Sequence, residues 1–289
     1  MKPNFSDEEL LNEIRYHLEL KNRAISELDK LNIALIKLNN QLNNAESLKS
    51  NFLANIRNEL FNPLTSILAI TKNILKSKEK IEKNEIIKLI EYIDAECFYL
   101  NFQLKNIVSA ATIEAGDMNL QISEIDLISL IEDLIKDFKF FLNKKNLSIS
   151  LENNITTEKI TTDPEKIQVI LSNILDNAIK FSYENKKIIL KINKEDEYFC
   201  INVINFGKGI LEEEKDKVFD RFWKEDNSIN SINKGLGLGL SITKAYTEFL
   251  GGKIEIKNIP ALETEIKITI PNLNKNNLQQ TFDLNTFLF

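Results

Sequence analysis

QVILSNILDNAIKFS, residues 168–182, reads as part of a helix, and it carries Asn173 and Asn177 four positions apart, hence on one face. Three further segments follow in order: NFGKGI (205–210), VFDRFW (218–223) and GLGLGL (235–240). Gly235, Gly237 and Gly239 allow a loop to run tightly into a helix N-terminus. Around these segments, short alternating strands begin at about residue 119: NLQI, LSISLE, KIILKI, YFCINVI, KIEIK and TEIKITI. They interleave with helices expected at about 126–142, 164–182 and 238–250. That order specifies an α/β sandwich, a mixed sheet with helices on one face.

Upstream the period changes. Residues 7–45 are helical by pattern, and Ala24, Leu28, Leu31, Leu35, Leu38 and Leu42 alternate spacings of four and three, as a coiled-coil seam does. So narrow an apolar stripe needs a partner, either a second copy or the helix's own domain. A second helix is expected over about 45–78 with Pro63 inside it, where the missing N–H frees the Glu59 carbonyl and bends the helix. KSKEKIEKNE (76–85) is the turn, and a third helix runs over about 84–114 to a C-cap at Gly116. Two such helices cannot bury their apolar faces alone, but two copies make a four-helix bundle. The expected organisation is multidomain, α and α/β: a coiled coil (1–44), a dimerisation hairpin (45–116), the sandwich (117–271) and a tail (272–289). The tail's Phe282, Leu284, Phe287, Leu288 and Phe289 either pack back on the domain or dock a partner.

Composition narrows the function classes. A net charge of -6 argues against a nucleic-acid partner. No apolar run approaches the ~20 residues of a membrane span, and the charged N-terminus has no signal-peptide core, so a soluble cytoplasmic protein is expected. Two cysteines, Cys97 and Cys200, sit far apart in sequence; they do not make a disulfide framework and are expected as buried reduced thiols.

The segment 119–271 resembles the GHKL-type ATPase domain of two-component sensor histidine kinases, with 168–182 as its N-box, 205–210 as G1, 218–223 as F and 235–240 as G2. The resemblance extends to residue 45 and implies ATP or ADP with Mg2+ as cofactor. It implies that Asn173 and Asn177 face the nucleotide, that Asn177 offers its amide oxygen to Mg2+, and that Lys180 faces the phosphates. It places Asn205, Gly207 and Gly209 at the base, Phe219 in the F-box, and Gly235, Gly237 and Gly239 along the phosphates. KEDNSINSINK, between the last two boxes, would be a lid. Asn205 departs from the family's aspartate. A carboxamide still accepts one hydrogen bond from an adenine amine, but it is uncharged, so weaker ATP binding is expected.

FLANIRNELFNPL (52–64) is similar to the family's H-box, except that Asn58 stands where the phosphoaccepting histidine belongs. An amide nitrogen is not nucleophilic, because its lone pair is delocalised into the carbonyl. The one histidine of the chain, His17, lies far upstream, outside any such context. Autophosphorylation is therefore not expected. What remains is Glu59-Leu60-Phe61-Asn62, which resembles the E-x-x-N signature of family members that dephosphorylate a response regulator. The resemblance implies that Asn62 positions water and that Glu59 aligns the receiver domain, which brings its own Mg2+. Phe61 replaces a usual arginine and packs either under the regulator or on a neighbouring helix. The expected activity is hydrolysis of a regulator's aspartyl phosphate by a homodimer joined through helices 7–114. The alternative is an inert pseudokinase that sequesters a regulator or a partner kinase.

Overall fold

The structure is a computed structural model and describes residues 37, 54–76, 82–155, 159–224, 235–259 and 262–273. The chain divides into two compact units, Met1–Ala54 and Asn55–Phe289. The expected coiled coil, the hairpin turn, the lid and the tail beyond 273 fall largely or wholly outside the described residues. No helix among the described residues is long and apolar enough to cross a membrane.

Helix α1 (54–76) runs through Pro63 without interruption, and Pro63 itself is buried. Helix α2 (Lys83–Ala115) ends where expected. Gly116 adopts φ 71°, donates to Ile113 O, and lets Asp117 donate to Thr112 O, which satisfies carbonyls the helix leaves over. One stripe of α2 is buried: Ala95, Tyr99, Phe102, Gln103, Asn106 and Ser109. Its upper half is aromatic. Phe98 and Phe102 meet Phe138 edge-on at 5.1 and 5.9 Å, and Phe141 lies 5.7 Å from Tyr99.

Phe138 also corrects the expected helix over 126–142. The segment is two helices, α3 (Leu127–Asp137) and α4 (Lys139–Lys144), joined at Phe138, which is 1% exposed. Burying that ring in the aromatic cluster takes precedence over a continuous helical ladder. Asp126 caps α3 by accepting from Ser129 N–H at 2.9 Å.

The main sheet has five strands: β2 (Ser148–Asn153), β4 (Lys187–Glu195), β5 (Tyr198–Asn205), β6 (Lys253–Ile259) and β7 (Glu263–Pro271). Their order is β2-β4-β5-β7-β6, with β2 parallel to β4 and the other pairs antiparallel, so the sheet is mixed as expected. A separate antiparallel pair joins β1 (Ser123–Asp126) to β3 (Lys159–Thr162). NLQI is therefore not a strand: the pairing lies just after it, and its partner KITT is too short and polar to stand out in the sequence. Helices α5 (Pro164–Phe181) and α6 (Gly239–Phe249) pack together and against β5, β6 and β7. Asp163 caps α5, and Pro164 supplies a first-turn residue that has no N–H to satisfy.

Strand register places the core and the site in one row. Leu190 lies opposite Val203, and Val203 opposite Ile266; all three are buried. Two positions further along β5 the same face carries Asn205, opposite Thr264. Both are 6% exposed, so a hydrophobic face ends in two polar side chains at the end of these two central strands. Among the cysteines, Cys200 is buried as expected, but Cys97 is exposed on α2; both thiols are free.

Candidate functional site

A cluster of polar side chains lies where that row ends. A cavity there is lined by α5, the end of β5, the glycine loop before α6 and two residues of α2, Gln103 and Asn106. Helix α5 is otherwise core, but Asn173, Asp176, Asn177 and Lys180 sit at spacings of three and four and share the face toward the cavity. Asn205, Gly209, Gly235, Gly237 and Gly239 also line it.

Backbone geometry explains the glycines. A Cβ on Gly207 would lie 1.9 Å from the Phe181 carbonyl oxygen. The segment is stitched there to the end of α5, with Tyr183 N–H donating to Phe206 O at 2.9 Å. A Cβ on Gly237 would meet the Phe222 backbone at 2.8 Å, and Gly237 has φ 71°. Phe222 itself has φ 66°, a costly conformation for a bulky residue, and donates its N–H to Gly237 O. Two of the expected residues stand off the cavity wall. Gly207 acts through that close approach, and Phe219 lies under the Lys244 ammonium, 5.4 Å from its ring centre.

The polar groups are tightly engaged. Asn173 and Asn106 exchange two hydrogen bonds through their amides, at 2.8 and 2.9 Å. Lys180 donates to Asp176 at 2.5 Å. Burial raises Asp176 above the usual carboxylate range against the pull of Lys180. Burial opposes the charge on Lys180, yet Asp176, Tyr99 and Glu59 together hold its pKa above the ordinary lysine value. The Tyr99 phenol is pushed far up, first by burial.

Glu59 belongs to this site. Its Oε1 accepts from Gly235 N–H at 2.6 Å, and its Oε2 accepts from the Tyr99 hydroxyl at 3.4 Å. Asn58, beside it, is half-buried, whereas Asn62 and Phe61 are exposed. The described structure thus joins Glu59 to the glycine loop and leaves Asn62 facing outward. Gln103, Asn106 and Tyr99 were not anticipated. They come from a helix some seventy residues before α5 and carry no local signal. Asp176 had one: it sits four residues before Lys180.

Residues 162–274 match the family described as Histidine kinase-, DNA gyrase B-, and HSP90-like ATPase. Over 228 residues, 78% of the chain, the protein is 29% identical to the sensor protein KdpD of Clostridium acetobutylicum. It spans 25% of that protein, and 16% and 18% of two further histidine kinase relatives. It is 27% identical to the sensor histidine kinase YcbM of Bacillus subtilis, over 84% of this chain and 79% of that one. The fold is shared with the Acinetobacter baumannii histidine kinase AdeS, with a TM-score of 0.51 at 21% identity over 75% of this chain and 98% of that one. Residues 162–274 thus resemble that ATPase family, on a chain similar to sensor histidine kinases over most of its length.

Proposed function

We propose that the protein is a two-component signalling protein that does not phosphorylate itself and hydrolyses the aspartyl phosphate of a response regulator. The observation that carries this reading is the exposed Asn62 one helical turn beyond Asn58, where a histidine would be needed for the forward reaction. A carboxamide both donates to and accepts from water without being attacked, so Asn62 holds a water in line with the phosphorus of a docked receiver domain. The receiver's own Mg2+ carries the charge stabilisation. Phe61, Leu64 and Leu68 are exposed on the same helix, α1, and share one face at i, i+3 and i+7. Those that the receiver leaves uncovered, together with Ile87, Ile90, Leu104 and Val108 of α2, call for a second copy of the chain.

The ATPase domain fits ATP or ADP with Mg2+. Gly235 N–H already hydrogen-bonds an anionic oxygen, Lys180 is a cation on the cavity wall, and Asn177 presents a hard oxygen ligand suited to Mg2+. Asn205 meets the base with a neutral amide. Bound nucleotide supplies negative charge to the glycine loop; the hydrolytic step requires only Asn62, water and the receiver.

The test is the decay of a receiver domain charged by a small-molecule phosphodonor, with the donor removed, with and without this protein. Accelerated decay is expected. Tight binding with unchanged decay would instead identify a sequestering pseudokinase.

A further inference from the structure

We infer that the Glu59 carboxylate and the phosphates of a nucleotide compete for one anion subsite, so that nucleotide binding displaces Glu59 from the ATPase domain. The inference rests on the nucleotide reading above and adds to it a coupling between the two functional regions.

The subsite is built from the Gly235 N–H and Lys180, with Lys224 lining the same cavity. The Gly235 N–H donates to Glu59 Oε1 at 2.6 Å, short for an N–H···O bond. A Cβ on Gly235 would stand 3.1 Å from Lys180 Nζ, so the cation borders the same N–H. Asp176 occupies one donor direction of that ammonium, which has three. Burial pulls Lys224 below the ordinary lysine value; Glu59 opposes that pull and Lys180 adds to it, so all three charges share one neighbourhood. A carboxylate oxygen and a phosphate oxygen are both anionic acceptors and demand the same donors. Two of them on one N–H beside one lysine repel each other. Glu59 therefore fills the subsite as an internal substitute for phosphate.

The contact between α2 and the ATPase domain includes the aromatic cluster of Phe98, Tyr99 and Phe102 on Phe138 and Phe141, and only its part nearest the cavity suits local separation. The buried stripe of α2 becomes polar toward the cavity, through Gln103, Asn106 and Ser109. The Asn106–Asn173 amide pair exchanges readily for hydrogen bonds to water, so separating it costs far less than opening an apolar core. The coupling is reciprocal: if nucleotide weakens the Glu59 contact, Glu59 weakens nucleotide binding by the same factor.

That factor is measurable by calorimetric titration of wild type, Glu59→Ala and Glu59→Gln with a non-hydrolysable ATP analogue plus Mg2+, and with adenosine. Glu59→Ala is expected to bind the triphosphate about 10-fold more tightly. Adenosine, which has no phosphate, is expected to bind both proteins equally. Glu59→Gln keeps an acceptor for Gly235 but loses the charge, and is expected to lie between them. Equal triphosphate affinity in all three proteins, or an equal gain for adenosine, would overturn the competition and leave the nucleotide site intact. No binding of either compound to any variant would overturn both the competition and the nucleotide reading.

Discussion

Asn62→Ala is expected to abolish the protein's effect on regulator phosphate without disturbing its fold. Asn62 is exposed on α1, so truncating it removes no buried contact, and surface changes of this kind stay within about 0.5 kcal/mol. Its proposed work is placement of one water, and losing such placement costs on the order of 10²-fold in rate. Alanine provides neither donor nor acceptor. Threonine keeps a hydroxyl that does both, so Asn62→Thr is expected to retain much of the rate. Aspartate is expected to fail despite its similar shape, because its charge repels the phosphoryl oxygens. The check is the decay rate of the charged receiver at equal protein concentration, with thermal melting curves matched between variants. A substantial rate in Asn62→Ala would move the water-holding role elsewhere on the helix.

The second large effect is expected at Gly207. The new Cβ of Gly207→Ala would lie 1.9 Å from the Phe181 carbonyl oxygen, and no side-chain rotation relieves a clash with backbone. Overpacking of this kind costs about 1–3 kcal/mol, and here the upper end is expected because the backbone must move. The move separates the end of α5, which carries Lys180, from the segment that carries Asn205 and Gly209. Nucleotide binding should therefore fall by far more than stability alone explains. Gly252→Ala is the comparison. Its Cβ would lie 2.3 Å from Thr269 O at the turn between α6 and β6, and Gly252 does not line the cavity. It is expected to lower the urea midpoint while leaving the affinity of the folded fraction near wild type. Equal losses of affinity in the two variants would show that Gly207 matters only for stability.

The reach of the sequence followed the locality of each constraint. Asn173, Asn177 and Lys180 were legible together because one helix face at spacings of four and three holds them all. At Gly207 and Gly237 a Cβ would strike backbone, so tight approach admits little else at those two positions. Gly116 announced the end of α2 through its positive φ. What failed was set by distant partners. The break at Phe138 depends on rings of α2, and nothing within 126–142 requires it. β3 is four residues long and is a strand because β1 pairs with it. Cys97 looked like a core thiol by residue type, but its helix turns it outward. The engagement of Glu59 depends on a loop 176 residues later in the chain.

The central claim is that phosphoryl groups leave the regulator for water and never rest on this chain. The most direct measurement is the fate of label on a receiver domain carrying a radiolabelled aspartyl phosphate, mixed with the protein and Mg2+, with and without ADP. The expected result is release of the label as inorganic phosphate, faster than from the receiver alone, with none on the protein and none recovered in ATP. Label on the chain, or its return to ADP, would contradict the account, as would a receiver that keeps its phosphate at the unassisted rate.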